Sequence, residues 1–134
     1  MEIVFQTIIT IFIIFPIVTL IHELGHAFFA KLFGAKEIKI ELGTGKPLIQ
    51  TKSFQINQIF YWSGFCYFNL DELTKHKKIK RIFILLGGAI FNLTTLGIMW
   101  ILYSFELIPD HFIIKTFMIV TLFIAIFSLL PSYS

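Results

Sequence analysis

IVFQTIITIFIIFPIVTLIHELGHAFFAKLF occupies residues 3–33, and its only ionisable side chains, His22, Glu23, His26 and Lys31, stand toward its C-terminal end. A helix needs about 20 consecutive apolar residues to cross a hydrocarbon core of ~30 Å, and this run supplies them. Two further runs, 82–105 and 112–130, are comparably apolar. Of the 134 residues, 57% are hydrophobic and 14% charged, whereas an ordinary soluble domain has about a quarter of its residues charged. That composition excludes a soluble globular protein. The expected architecture is an α-helical integral membrane protein with three transmembrane helices, at 3–33, 82–105 and 112–130, forming a single membrane-embedded core over 1–134.

The polar residues between the first and second runs fix the orientation. Ten of the eleven Lys and Arg lie within residues 31–81, with Lys115 apart. Positive charge gathers on the cytoplasmic side of spans, so 35–80 is expected in the cytoplasm and Met1 on the opposite face. The cluster Lys75, Lys77, Lys78, Lys80 and Arg81 precedes the second span, where basic residues meet anionic headgroups of the bilayer. The net charge of +3 therefore reads as membrane topology, and no nucleic-acid partner is expected. No Lys or Arg precedes residue 31, and no small-residue cleavage site follows a short apolar core, so the first run is expected to be retained. The expected location is a multi-pass position in the cell membrane.

Within 35–80 the pattern changes period. Ile38, Lys39, Ile40 and Glu41 alternate, 43–47 carry turn residues, and 48–59 alternate again, which predicts two or three short strands, a small hairpin or sheet at the interface. The aromatic run Ile59, Phe60, Tyr61, Trp62, then Phe65, Tyr67 and Phe68, is too short to span and is expected to dip into the membrane. Pro16 removes a backbone donor and predicts a kink ahead of His22. Cys66, the single cysteine, is expected to be a buried small apolar group, since it has no partner for a disulfide.

His22-Glu23-Leu24-Gly25-His26 is an HExxH pattern on a helix. A spacing of four puts both imidazoles on one face, within reach of one metal, and lets the neighbouring glutamate address a water on it. Two histidines and a glutamate can also satisfy one another in a bundle. Against that, an acidic residue in an apolar span costs about 2.5 kcal/mol or more on insertion scales, so such groups tend to mark function. Two imidazoles suit Zn2+, and the implied chemistry is metal-assisted hydrolysis with Glu23 as catalytic base. Asn92, four residues after Gly88, shares a face with it. Its amide either bonds across to a neighbouring helix or supports the site directly.

The stretch Ile21-His22-Glu23-Leu24-Gly25-His26-Ala27 resembles the site-2 protease family of intramembrane zinc metalloproteases. Gly43-Thr44-Gly45-Lys46-Pro47 and Gly87-Gly88-Ala89-Ile90-Phe91-Asn92 fall in the order and spacing typical of that family, so the resemblance covers nearly the whole chain. It implies one Zn2+ per chain held by His22 and His26, Glu23 as base, and cleavage of membrane-protein or peptide substrates near the cytoplasmic side. The sequence departs from the family at the third ligand, an aspartate in an Asp-Gly pair. Ser128-Leu129-Leu130-Pro131 resembles the approach to that segment, with serine where asparagine is usual, and no Asp-Gly follows. Either the chain is part of a longer protein, or it is an inactive relative that binds a partner or transmembrane segment without cutting it. Substitutes for the aspartate would be Asp71, Glu72 or His76 in the cytoplasmic loop, or Glu106, Asp110 or His111 at the outer turn; solvated loop and turn positions are the default for these residues. A different membrane zincin with a distant glutamate ligand fits the Gly87 to Asn92 stretch less well.

Overall fold

A computed structural model of the chain describes residues 2–71 and 75–129, apart from the Trp62 side chain. Glu72 and the Leu130-Pro131 end of the serine-containing segment lie outside the described residues. The elements run α1 (Glu2–Ile9), a π-helical turn (Thr10–Ile14), α2 (Phe15–Leu32), β1 (Lys36–Gln50), β2 (Phe54–Asn69), α3 (Lys77–Ser104) and α4 (Phe112–Leu129). Among the described residues, three helical stretches are long and apolar enough to cross a membrane: Glu2–Leu32, Lys77–Ser104 and Phe112–Leu129. Lipid offers the backbone no partners, so such segments close their hydrogen bonds internally as helices. A small antiparallel sheet stands between the first and second.

The interruption expected at Pro16 takes a specific form. The Phe15 N–H donates to the Thr10 carbonyl, one residue further back than in an α-helix, and Pro16 then sits in the first turn of α2, where its missing donor costs least. The second span starts earlier than its apolar run, at Lys77 rather than at residue 82. Lys and Arg favour helix and can carry their charged tips to the interface, so Lys77, Lys78, Lys80 and Arg81 stand in the opening turns of α3, with Lys75 just ahead of it.

The expected interfacial sheet is present as two antiparallel strands, which at 15 and 16 residues are longer than expected. Residues 40–42 of β1 have partners on both edges: Ile40 pairs with Cys66 and Phe54, and Leu42 with Gly64 and Ile56. After the bend, Ile49 and Gln50 pair with Ile56 and Gln55. Gly43 and Gly45 make that bend, with φ of 79° and 93°, a region an L side chain rarely adopts. A Cβ on Gly43 would also collide with the Ile59 carbonyl. The bend is pinned by the Asn57 amide, which donates to the Gly43 carbonyl (2.8 Å) and to Glu41 Oε1 (2.7 Å). Gln55 donates to Asn57 Oδ1 (2.7 Å) and accepts from Lys39 Nζ (2.8 Å). These buried amides are thus largely paired, as buried polar groups must be.

α2 is the central element, packed against both strands and against α3, which in turn carries α4. A cluster of Ala30, Leu70 and Ile84, with Phe29, Phe33, Ala35, Ile38 and Phe68 around it, ties the end of α2 to the start of α3. β2 reaches back along the first span, where Phe12 meets Tyr61 at 4.5 Å and Phe60 at 6.5 Å between ring centroids. Phe12 lies about 15 Å before His22 at 1.5 Å per residue, so the Phe60–Tyr61 part of β2 lies alongside the first span. Large apolar side chains elsewhere on the spans, such as Ile98, Trp100 and Ile119, are exposed, as lipid-facing positions are.

Candidate metal centre

α2 carries His22 and His26 one helical turn apart, so both rings project from one face. Their centroids are 4.7 Å apart with the planes nearly perpendicular at 88°, and the two Nε2 atoms approach to 3.1 Å. One donor atom from each of His22, Glu23 and His26 falls within 4.8 Å of the others. Among the described residues this is the only group of three such side chains.

α3 supplies the support. His26 Nδ1 lies 2.7 Å from the Ile84 carbonyl; a carbonyl only accepts, so that nitrogen carries the proton and the Nε2 lone pair points away from α3. Asn92 is fully buried and places its amide nitrogen 3.0 Å from His22 Nδ1. Its Oδ1 is buried without a hydrogen-bond partner among the described residues. The α2–α3 contact is made by small residues: a Cβ on Gly25 would run into the Gly87 carbonyl, and one on Gly88 would occupy the space of the His22 ring. Close backbone approach of this kind is how spans associate in lipid, where apolar burial provides no drive.

β2 closes the opposite side. Glu23 is 6% exposed although it is an acid. A Cβ on Gly64 would lie 3.1 Å from Glu23 Cγ and would collide with Thr19 Cγ2, so the strand lies directly over the carboxylate. Cys66 is buried and free. Burial first, then the nearby Glu23 charge, pushes its thiol up to about 11, so it stays protonated and unreactive.

His22, Glu23, His26 and Asn92 therefore come together, whereas the other candidates among the described residues do not join them. Asp110 is bound to Lys115 at 2.9 Å on the exposed turn between α3 and α4, and that hydrogen bond holds its carboxyl below the usual carboxylate range. His111 caps the next helix by accepting the Ile113 N–H at 3.2 Å. Asp71 and His76 are exposed near the start of α3, and Glu106 is exposed at the end of the same helix. Sequence reasoning did not single out Gly25 as a packing residue, the Ile84 carbonyl or Gly64. Gly25 did carry a signal, being a small residue inside the HExxH turn, whereas a backbone acceptor leaves no signature at all.

The family described as peptidase family M50 matches residues 10–133. An uncharacterized membrane protein of Bacillus subtilis (strain 168), YwmF, is 28% identical over 119 residues, covering 89% of this chain and 73% of that protein.

Proposed function

The chain belongs to peptidase family M50, the site-2 protease family, and from that premise we propose that it is an intramembrane zinc metalloprotease acting on membrane-protein or peptide substrates. The observation that carries this reading is the meeting of His22, Glu23 and His26 inside a spanning helix. The donor set fits the metal: two neutral imidazoles with adjacent Nε2 atoms are borderline-soft ligands of the type zinc prefers, and one ring is already anchored through its other nitrogen. His22 and His26 would hold Zn2+, which when bound supplies Lewis acidity toward a scissile carbonyl and toward water.

The remaining work falls to the protein. Glu23 takes the proton from the attacking water and delivers it to the leaving nitrogen, which requires a carboxylate shielded from bulk solvent, as its burial provides. Asn92 supports the site from α3. The bent sheet is suited to hold the substrate: hydrolysis needs an extended segment, because a helix hides its amides, and an edge strand can hold such a segment by strand addition. Exposed residues 44–50 of β1 offer such an edge. A site near the cytoplasmic side of the cell membrane is supported by the concentration of Lys and Arg within 31–81, since positive charge gathers on that side of spans.

The test is proteolysis of a single-span membrane protein reconstituted with the purified chain in vesicles. Cleavage is expected to stop when a chelator strips the protein and to return when Zn2+ alone is added back. Cleavage that continues in the stripped sample would exclude a metalloprotease. A second reading, an inactive relative that binds a transmembrane segment, is favoured by one observation: the group at the site contains two histidines and the base but no further carboxylate or histidine among the described residues. It predicts co-purification of the substrate uncut, with or without zinc.

A further inference from the structure

We infer that Asn92 is a positioning residue whose side-chain amide selects the His22 tautomer able to bind metal. The inference rests on the metal-site reading above. It begins from the position of His22 between two partners, with Nε2 3.1 Å from His26 Nε2 and Nδ1 3.0 Å from the Asn92 amide. A neutral imidazole has one N–H and one lone pair, so these two contacts are not independent.

Two proton arrangements satisfy the same heavy-atom positions. In the first, Asn92 Nδ2–H donates to His22 Nδ1, His22 Nε2–H donates to His26 Nε2, and His26 Nδ1–H donates to the Ile84 carbonyl. This chain is continuous, but it uses both Nε2 positions and leaves Asn92 Oδ1 buried with no partner. An orphaned buried acceptor is costly and rare. In the second, the amide is turned by half a rotation, which exchanges two atoms of nearly equal size. Oδ1 then accepts from His22 Nδ1–H, Nδ2 takes the position in which Oδ1 had no partner, and both Nε2 lone pairs face the space between the rings. Only the second arrangement leaves two nitrogens for a metal. With no Cβ on Gly88, the His22 ring has room against α3 within reach of the amide. His26 has its tautomer set by a main-chain acceptor that cannot turn, whereas His22 depends on a side chain that can. Partners of this kind typically change metal affinity about 10- to 100-fold.

The experiment uses the whole chain in detergent, labelled with 15N-histidine and titrated with Zn2+ alone. In the zinc-loaded wild type, His22 Nδ1 is expected to show the signal of a protonated, pyrrole-type nitrogen. Asn92→Leu, which keeps the volume and removes the acceptor, is expected to bind Zn2+ at least about 10-fold more weakly and to lose that signal, while Asn92→Asp, an obligate acceptor, restores both. Equal Zn2+ affinity in wild type and Asn92→Leu would overturn the inference and leave the metal site standing, as would an unprotonated Nδ1 in the zinc-loaded wild type. Failure of Asn92→Asp to rescue a folded protein would also overturn it. No Zn2+ binding by the wild type would overturn the metal-site reading first and this inference with it.

Discussion

Replacing Glu23 with Gln is expected to leave the zinc content unchanged and to lower the cleavage rate at least about 100-fold, the usual worth of a positioned acid-base group. The substitution is nearly isosteric, so the packing against Thr19 and Gly64 is preserved and the two imidazoles keep their geometry. What is lost is an oxygen that can take a proton from water and return it to the leaving nitrogen. Removal of a buried acid also removes the cost of holding it in an apolar span, so the variant should be no less stable than the wild type. The check is a paired measurement, turnover of a reconstituted substrate beside metal content by mass spectrometry. Wild-type turnover in Glu23→Gln would remove Glu23 from the mechanism.

The second large effect concerns the α2–α3 contact. Gly25→Ala places a methyl group against the Gly87 carbonyl and 2.9 Å from Phe91 Cβ, and a backbone obstacle cannot step aside as a flexible side chain can. The helices must part, at about 1–3 kcal/mol or more, and with them the His22–Asn92 and His26–Ile84 contacts that cross the same seam. Lower thermal stability in detergent and at least about 10-fold weaker Zn2+ binding are expected together. Gly97→Ala, on the partner helix α3, is the control: nothing lies within 4 Å of its Cβ position, so the change should be neutral or stabilising by up to about 1 kcal/mol through helix propensity. Equal effects of the two substitutions would show that the seam between Gly25 and Gly87 is not what holds the site together.

These two predictions differ in how far the sequence alone could have made them. The three spans were readable because an apolar run long enough for a bilayer has few alternatives, and the HExxH spacing brings His22 and His26 together on any straight helix. The shared face of Gly88 and Asn92 followed from the same periodicity, and the structure turns that face to His22. Other features depend on tertiary context. The π-helical turn at Thr10–Ile14 has no residue signature beyond Pro16 downstream. Gly43 and Gly45 make the turn that their residue type announces, but glycines at positive φ mark equally a break between strands and a fold-back within one, so the continuity of β1 through the bend is not legible in sequence. The start of α3 at Lys77 was placed too late because hydropathy locates the apolar part of a span, not the helix that carries it. The cover of Gly64 over Glu23 joins residues far apart in sequence, which periodicity cannot report.

The central claim, that His22 and His26 hold a metal beside Glu23, is tested most directly by zinc per chain in the purified wild type and in His22→Ala and His26→Ala, each exchanged into metal-free buffer and loaded with Zn2+. One zinc per chain is expected in the wild type and its loss in both variants, with the helical signal retained in all three. Stoichiometric zinc in either variant, or none in a folded wild type, would contradict that claim.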